Sequence, residues 1–205
     1  ERERRERLDI PVGHDDQHGA ASVVGAAVLN GLEVVGKKID EVKVVTSGAG
    51  AAALACINLL VKLGVPRQNI WVTDIHGLVY QGRTELMDED KAQFAQDSAL
   101  RTLGEVIEGA DMFLGLSAGG VLKPEMVAKM AAKPLIFALA NPTPEITPEE
   151  VQSVRDDAIM ATGRTDYPNQ VNNVLCFPYI FRGALDCGAS TITTAMEITH
   201  VRAIP

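Results

Sequence analysis

The stretch "VVTSGAGAAALA", residues 44–55, decides the fold. A short apolar run, Val42 to Val45, stops at glycines, and a longer run of small and apolar residues follows at once. The first reads as a strand of a parallel sheet, and the second as a helix stopped by Gly64 and Pro66. Between them Gly48, Gly50 and Ala53 form a G-x-G-x-x-A pattern. Gly48 permits the tight turn, Gly50 lets a pyrophosphate approach the backbone, and Ala53 lets helix and strand pack closely. The turn running from Gly48 through Ala49, Gly50, Ala51 and Ala52 to Ala53 places free N–H groups at a helix start, where they face phosphates. The pattern alone fits a tight turn without a nucleotide. Its place after a strand and before a helix points to a dinucleotide.

Outward from this turn, strand and helix signals alternate about five times. Upstream, "AASVVGAAVLNGLEVVGKK" reads as a buried helix ending near Gly36. Downstream, "NIWVTD", "DMFLGLS", "PLIFALANP" and "AIMATG" read as strands. "RTLGEVIEGA", "KPEMVAKMAA" and "TPEEVQSV" read as the helices between them. The acidic run "DEDKAQFAQD" reads as a solvated helix face. The fold class expected is α/β: a Rossmann-like, doubly wound, mostly parallel sheet with helices on both faces. Residues 162–178, "TGRTDYPNQVNNVLCFP", form a long polar loop of the kind that is usually functional or disordered.

Composition sets the outer bounds. A chain of 205 residues, 46% hydrophobic and 22% charged, is enough for one α/β domain with a large core. Aromatics are only 4%, so that core is built from Ala, Val, Leu and Ile. A net charge of −8 argues against a broad nucleic-acid surface. Cys56, Cys176 and Cys187 have no metal-ligand spacing and read as reduced thiols of an intracellular, cytoplasmic protein. No apolar run is expected to reach membrane-spanning length, and no signal peptide opens the chain. The opening "ERERRERLDIP" lacks a Met and looks like the end of a helix, so the chain reads as a piece of a longer protein.

Three groups of residues carry the candidate chemistry. Asp74 ends the strand after the glycine turn, somewhat farther along than the usual spacing of about 20 residues, and is placed to bind a ribose hydroxyl. It favours NAD, but His76 and Arg83 follow closely and could meet a 2′-phosphate, so NAD and NADP both stay open. In "GHDDQHGA", residues 13–20, Asp15 and Asp16 precede a helix and could simply cap it. One aspartate suffices for a cap, however, and adjacent carboxylates suit Mg²⁺ or Mn²⁺. The flanking His14 and His18 make zinc a weaker alternative. Asn141, in "LANPTPE", lies at the carboxyl end of a strand, the edge where open α/β sheets bind ligands. Asn172 and Asn173, in "YPNQVNN", suit carboxylates, hydroxyls and carboxamides, though Asn and Pro are also ordinary turn residues. Ser117 has no base near it in sequence and is not read as a nucleophile.

Taken together, "IPVGHDDQHGA", "SGAGAAALAC", "NIWVTDIHGLVYQGR", "IEGADMFLGLS", "FALANPTPEI" and "ATGRTDYPNQVNNVLCFPYIFRGALD" resemble the malic enzyme family. The match is to the NAD(P)-binding domain of the long bacterial type, which carries a phosphotransacetylase-like region further on. The resemblance spans nearly the whole chain. It implies one NAD(P)-binding domain over residues 1–205, without the catalytic domain that precedes it or the region that follows. It implies oxidative decarboxylation of L-malate to pyruvate and CO₂ with NAD or NADP and Mg²⁺ or Mn²⁺, by an enzyme that self-associates. Asp16 would be a metal ligand, and Asp15 would position the catalytic lysine or its proton. Gly48 to Ala53 would hold the pyrophosphate. Asn141 and Asn173, with Asn172 beside it, would contact malate and the nicotinamide end. The tyrosine acid, the lysine base and a Glu-Asp metal pair would lie before Glu1, and Tyr80, Tyr167 and Tyr179 do not match that tyrosine's motif. The chain alone is then expected to bind dinucleotide weakly and not to turn over malate. Gly13 and Ala20 depart from the larger residue and the threonine usual in the family, next to Asp15 and Asp16. A non-catalytic dinucleotide-sensing domain is the alternative, and an amino-acid dehydrogenase domain would share the fold without needing "HDDQHG".

Overall fold

The structure is a computed structural model that describes residues 2–204; Glu1 and Pro205 lie outside the described residues. In chain order its elements are α1 (Arg2–Arg7), α2 (Ala20–Val35), β1 (Val44–Ser47), α3 (Ala51–Leu63), β2 (Ile70–Asp74), β3 (Gly77–Leu78), α4 (Glu89–Ala92), α5 (Leu103–Val106), β4 (Met112–Gly115), α6 (Pro124–Val127), β5 (Leu135–Ala138), α7 (Pro148–Gln152), β6 (Ile159–Thr162), α8 (Phe177–Asp186) and α9 (Thr194–Ala203). A π-turn, Asp15–Gly19, leads directly into α2. The strands form one sheet in the order β3-β2-β1-β4-β5-β6, parallel except for β3, which pairs antiparallel with β2.

This is the expected Rossmann-like sheet. The chain winds outward from β1 in both directions, so the order reverses between β1 and β4, and ligands bind at that reversal beyond the carboxyl ends of the strands. The strands are apolar on both faces because both are covered. Val44, Val72, Leu114 and Phe137 face a core built with α2 and α3. Their neighbours Val45, Phe113, Ile136 and Ala138 face a second core under α5, α6 and α7. The period of two along each strand divides one apolar run between two cores.

Three expectations need correction. "RTLGEVIEGA" and "KPEMVAKMAA" form single turns, α5 and α6, not full helices. Ala110, Lys129 and Met130 donate to carbonyls three residues back, so the chain tightens out of the α-helix as it returns to the sheet. The acidic run is solvated only in part: Asp88, Glu89, Asp90 and Asp97 are exposed, but the run is not one helix face. It contains the one-turn α4, within which Lys91 is buried, and Phe94 just beyond joins the core. Finally, Asp15–Val35 is a continuous helical stretch of 21 residues, and an 18-residue window of it has mean hydropathy 1.3, long and apolar enough by composition to cross a membrane. In the fold it is a core helix, with Val24 and Val28 fully buried against α3 and the sheet.

Candidate functional site

The glycine turn takes the form its sequence demands. Gly48 has φ +112°, and a Cβ there would stand 2.5 Å from the Leu116 carbonyl oxygen. Only glycine meets both conditions. Its N–H donates to the Thr73 carbonyl at 2.9 Å, which ties the turn to β2. Gly50 is the N-cap of α3 in ordinary extended geometry, and a Cβ on it would meet nothing within 4 Å. It has no side chain to cap the first N–H groups of α3, so Ala51 and Ala52 present them outward. Ala53 is buried, at 1% exposed, beneath the turn. These are the features of an anion cradle with an open approach.

Beside this cradle, a cavity of about 310 Å³ opens over the point where the sheet order reverses. Asp16, Ala52, Leu116, Asn141, Asn172 and Asn173 are among its lining residues. The acidic doublet and the amide loop meet here. The Asn173 amide donates to Asp15 Oδ2 at 2.5 Å, across 158 residues of sequence. The contact depends on Gly19, where a Cβ would stand 2.3 Å from Asp15 Oδ1. The Cys176 thiol donates to the Gly19 carbonyl at 3.1 Å and pins the same junction. Burial, together with the Asp16 carboxylate, pushes the Asp15 carboxyl above its ordinary range, against the pull of His14 and Asn173.

Asp15 Oδ1 is buried with no hydrogen-bond partner, and Asp16 is exposed into the cavity. A buried orphan oxygen beside a second carboxylate suits a hard cation. Among the described residues, no group of three or more His, Cys, Asp or Glu side chains is placed to hold a metal. The doublet therefore fits part of a shell and not a complete one. His18 does not join it, because its Nδ1 lies 3.3 Å from Glu197, facing a separate cavity with Lys62 and Thr194.

The amides divide their work. Among the described residues Asn141 makes no hydrogen bond through its side chain, and it lines the cavity. Asn172 is committed to the loop. It donates to the Gly163 carbonyl at 3.2 Å, and its oxygen accepts from the Val174 N–H at 3.0 Å.

Asp74 sits at the end of β2 with all its acceptor positions filled. Arg83 Nη2 reaches both oxygens at 2.6 Å, Lys91 Nζ donates to Oδ2 at 3.1 Å, and the His76 N–H donates to Oδ1 at 2.8 Å. Burial alone would raise its carboxyl, but the two cations and the His76 N–H outweigh that and hold it below the ordinary range. The Arg83 side chain is fully buried and that of Lys91 nearly so.

Lys91 and Glu145 went unread in the sequence. Glu145 is fully buried, accepting from the Ser117 N–H at 2.9 Å and the Ala140 N–H at 3.0 Å. Burial pushes its carboxyl up despite these donors. Lys91 lay within a run whose charges looked solvated. For Glu145 the one available signal was an acid placed directly after the proline-rich turn "NPTP".

A family model described as the malic enzyme NAD-binding domain matches residues 17–204. The chain belongs to the malic enzyme family. Among malic enzymes, the NAD-dependent one of Rhizobium meliloti is 68% identical over 204 residues, covering 100% of this chain and 26% of its own length. The NADP-dependent malic enzyme of Escherichia coli is 60% identical over 205 residues, covering 100% of this chain and 27% of its own. The crystal structure of an NAD-dependent malic enzyme from Thermotoga maritima superposes with a TM-score of 0.92 at 45% identity, over 99% of this chain and 54% of that one. The chain thus spans about a quarter of the length of these curated malic enzymes and about half of the solved one. It is the NAD-binding domain of a malic enzyme, and its relatives are named for NAD and for NADP alike.

Proposed function

We propose that this domain serves an enzyme that oxidises L-malate and releases CO₂ to give pyruvate, and that the remainder of the active site lies outside these residues. The observation that carries the reading is the Asp15–Asn173 contact at the cavity beside the Gly48–Ala53 cradle. When bound, NAD or NADP would supply a hydride acceptor and Mg²⁺ or Mn²⁺ would supply Lewis acidity, the metal held in part by Asp16.

The chain's own residues divide the remaining tasks. The α3 N-terminus and the open face of Gly50 receive the pyrophosphate. Asp74, held rigid by Arg83 and Lys91, forms the wall on the adenine-ribose side. Asp16 is the carboxylate exposed to the metal, and Asp15, fixed by Asn173, is set to orient the catalytic base. Asn141 offers an uncommitted amide to the substrate or carboxamide, while Asn172 shapes the loop that carries Asn173. The tyrosine acid and lysine base belong to a preceding domain, and a phosphotransacetylase-like region belongs further on. The free thiols of Cys56, Cys176 and Cys187 support a cytoplasmic setting. The negative net charge supports small-molecule partners over binding to nucleic acid or an anionic membrane, and self-association follows from the family resemblance alone.

Calorimetric titration of the chain with NAD and NADP in parallel tests this reading. Binding of at least one dinucleotide, competed by its adenine half, is expected. Absence of heat with both overturns it. Malate oxidation by the chain alone at the rate of a complete malic enzyme would overturn the placing of the acid and base elsewhere.

A further inference from the structure

Glu145 is a buried carboxylate that none of the assigned chemistry uses. It is 0% exposed, and among the described residues no lysine or arginine pairs with it. Burying such a group is costly, and an apolar side chain would fill the space more cheaply. Its value lies in what its two oxygens join. Oε1 accepts from the Ser117 N–H at 2.9 Å and the Ser117 hydroxyl at 3.4 Å, beyond the end of β4. Oε2 accepts from the Ala140 N–H at 3.0 Å, beyond the end of β5. The Ser117 hydroxyl in turn lies 2.8 Å from that of Ser47, at the end of β1. One carboxylate therefore fastens three strand ends. Gly115 makes room for it, since a Cβ there would stand 2.4 Å from the Glu145 carboxyl carbon.

The fastened loops are walls of the cavity. Leu116 precedes Ser117, Asn141 follows Ala140, and both line the space beyond β4 and β5. Only a group with an acceptor at each end spans the two N–H donors. A glutamine would turn an NH₂ toward one of them. The adenine half of a dinucleotide seats on the other side of the sheet reversal, over β1 and β2.

We infer that Glu145 is a positioning residue for the nicotinamide half of the cofactor, holding the Leu116–Ser117 and Ala140–Asn141 loops at the separation that half requires. The adenine half does not depend on it. The inference rests on the cofactor-binding reading above, and goes beyond it by separating the two halves of the site.

The test compares affinities for NAD and ADP, or for NADP and 2′-phospho-ADP, in the wild-type chain and in Glu145→Gln, with thermal melts to establish folding. The variant should lose about tenfold in dinucleotide affinity while its affinity for the adenine half stays within about twofold. Equal loss for both ligands, or loss for neither, overturns the inference. Should Glu145→Gln fail to fold, Glu145→Asp carries the same comparison, because it keeps the charge but is too short to reach both loops. If neither variant folds, Glu145 acts on stability alone and the inference fails. A wild-type chain that binds the adenine half but not the whole dinucleotide refutes it too. A wild-type chain that binds no nucleotide refutes the cofactor reading beneath it.

Discussion

Gly48 and Gly50 stand two positions apart in one motif and should respond oppositely to the same added methyl. Gly48→Ala forces an alanine into φ +112° and drives its Cβ to 2.5 Å from the Leu116 carbonyl oxygen and 2.9 Å from its carbon. The strained backbone costs about 1–3 kcal/mol, and the overpacking against main chain, which has no rotamer to shift, about 1–3 kcal/mol more. A domain of this size loses about 2–4 °C of Tm per kcal/mol, so Gly48→Ala should melt at least about 4 °C below wild type. Gly50→Ala meets no atom within 4 Å and needs no unusual φ. Its one penalty is a poorer N-cap, worth about 1 kcal/mol or less, so its melting temperature should stay within about 4 °C. Its methyl nevertheless occupies the approach to the α3 N–H groups, and dinucleotide affinity should fall by about tenfold or more. Circular dichroism melts and calorimetric titration of both variants measure the two quantities. Gly48→Ala melting with wild type, or Gly50→Ala losing as much stability as Gly48→Ala, would refute this account of the turn.

Other expectations follow from the same contacts. Asp74→Asn leaves Arg83 and Lys91 buried without a countercharge and should cost about 3–5 kcal/mol in urea unfolding; a loss under about 1 kcal/mol would contradict the triad. Because the Asp74 carboxyl is held below its unfolded value, its contribution is complete above about pH 4 and disappears as the pH falls through the lower folded value. The acid limb of wild-type stability should therefore flatten in Asp74→Asn. Asn173→Ala removes the donor to Asp15 and should cost about 1–3 kcal/mol; an unchanged urea midpoint would place the two residues apart. Burial pushes the Cys56 thiol up to about 12 and the Cys176 thiol up to about 11. At pH 8 an aromatic disulfide reagent should thus titrate Cys187 alone in the native chain and all three thiols after denaturation, and fast labelling of a second native thiol would contradict this burial.

What could be read from the sequence was what local chemistry determines. The strand before Gly48, the helix after it and the glycine turn itself need only neighbouring residues, and each lies within two residues of its expected place. Long-range geometry was not legible. β3 is two residues long and exists through pairing with β2. α5 and α6 are single turns, after which Ala110, Lys129 and Met130 bond three residues back. In the site, the carboxylate doublet and the asparagine loop stood out by composition, but composition cannot tell that Asn172 holds its own loop while Asn173 reaches Asp15. Lys91 and Glu145 look like ordinary surface charges in sequence. Their burial comes from partners, Asp74 and the Ser117 and Ala140 amides, that only the fold supplies.

The Asp15–Asn173 bond joins positions 158 residues apart, whereas the phosphate cradle is tied to Thr73 beside it and packs on Leu116 beyond β4. Closing the wider loop costs about 0.6 kcal/mol more for each doubling of its length, which contacts elsewhere in the fold must offset. The acidic corner is thus held by closure of the whole domain, its final third seated on its beginning.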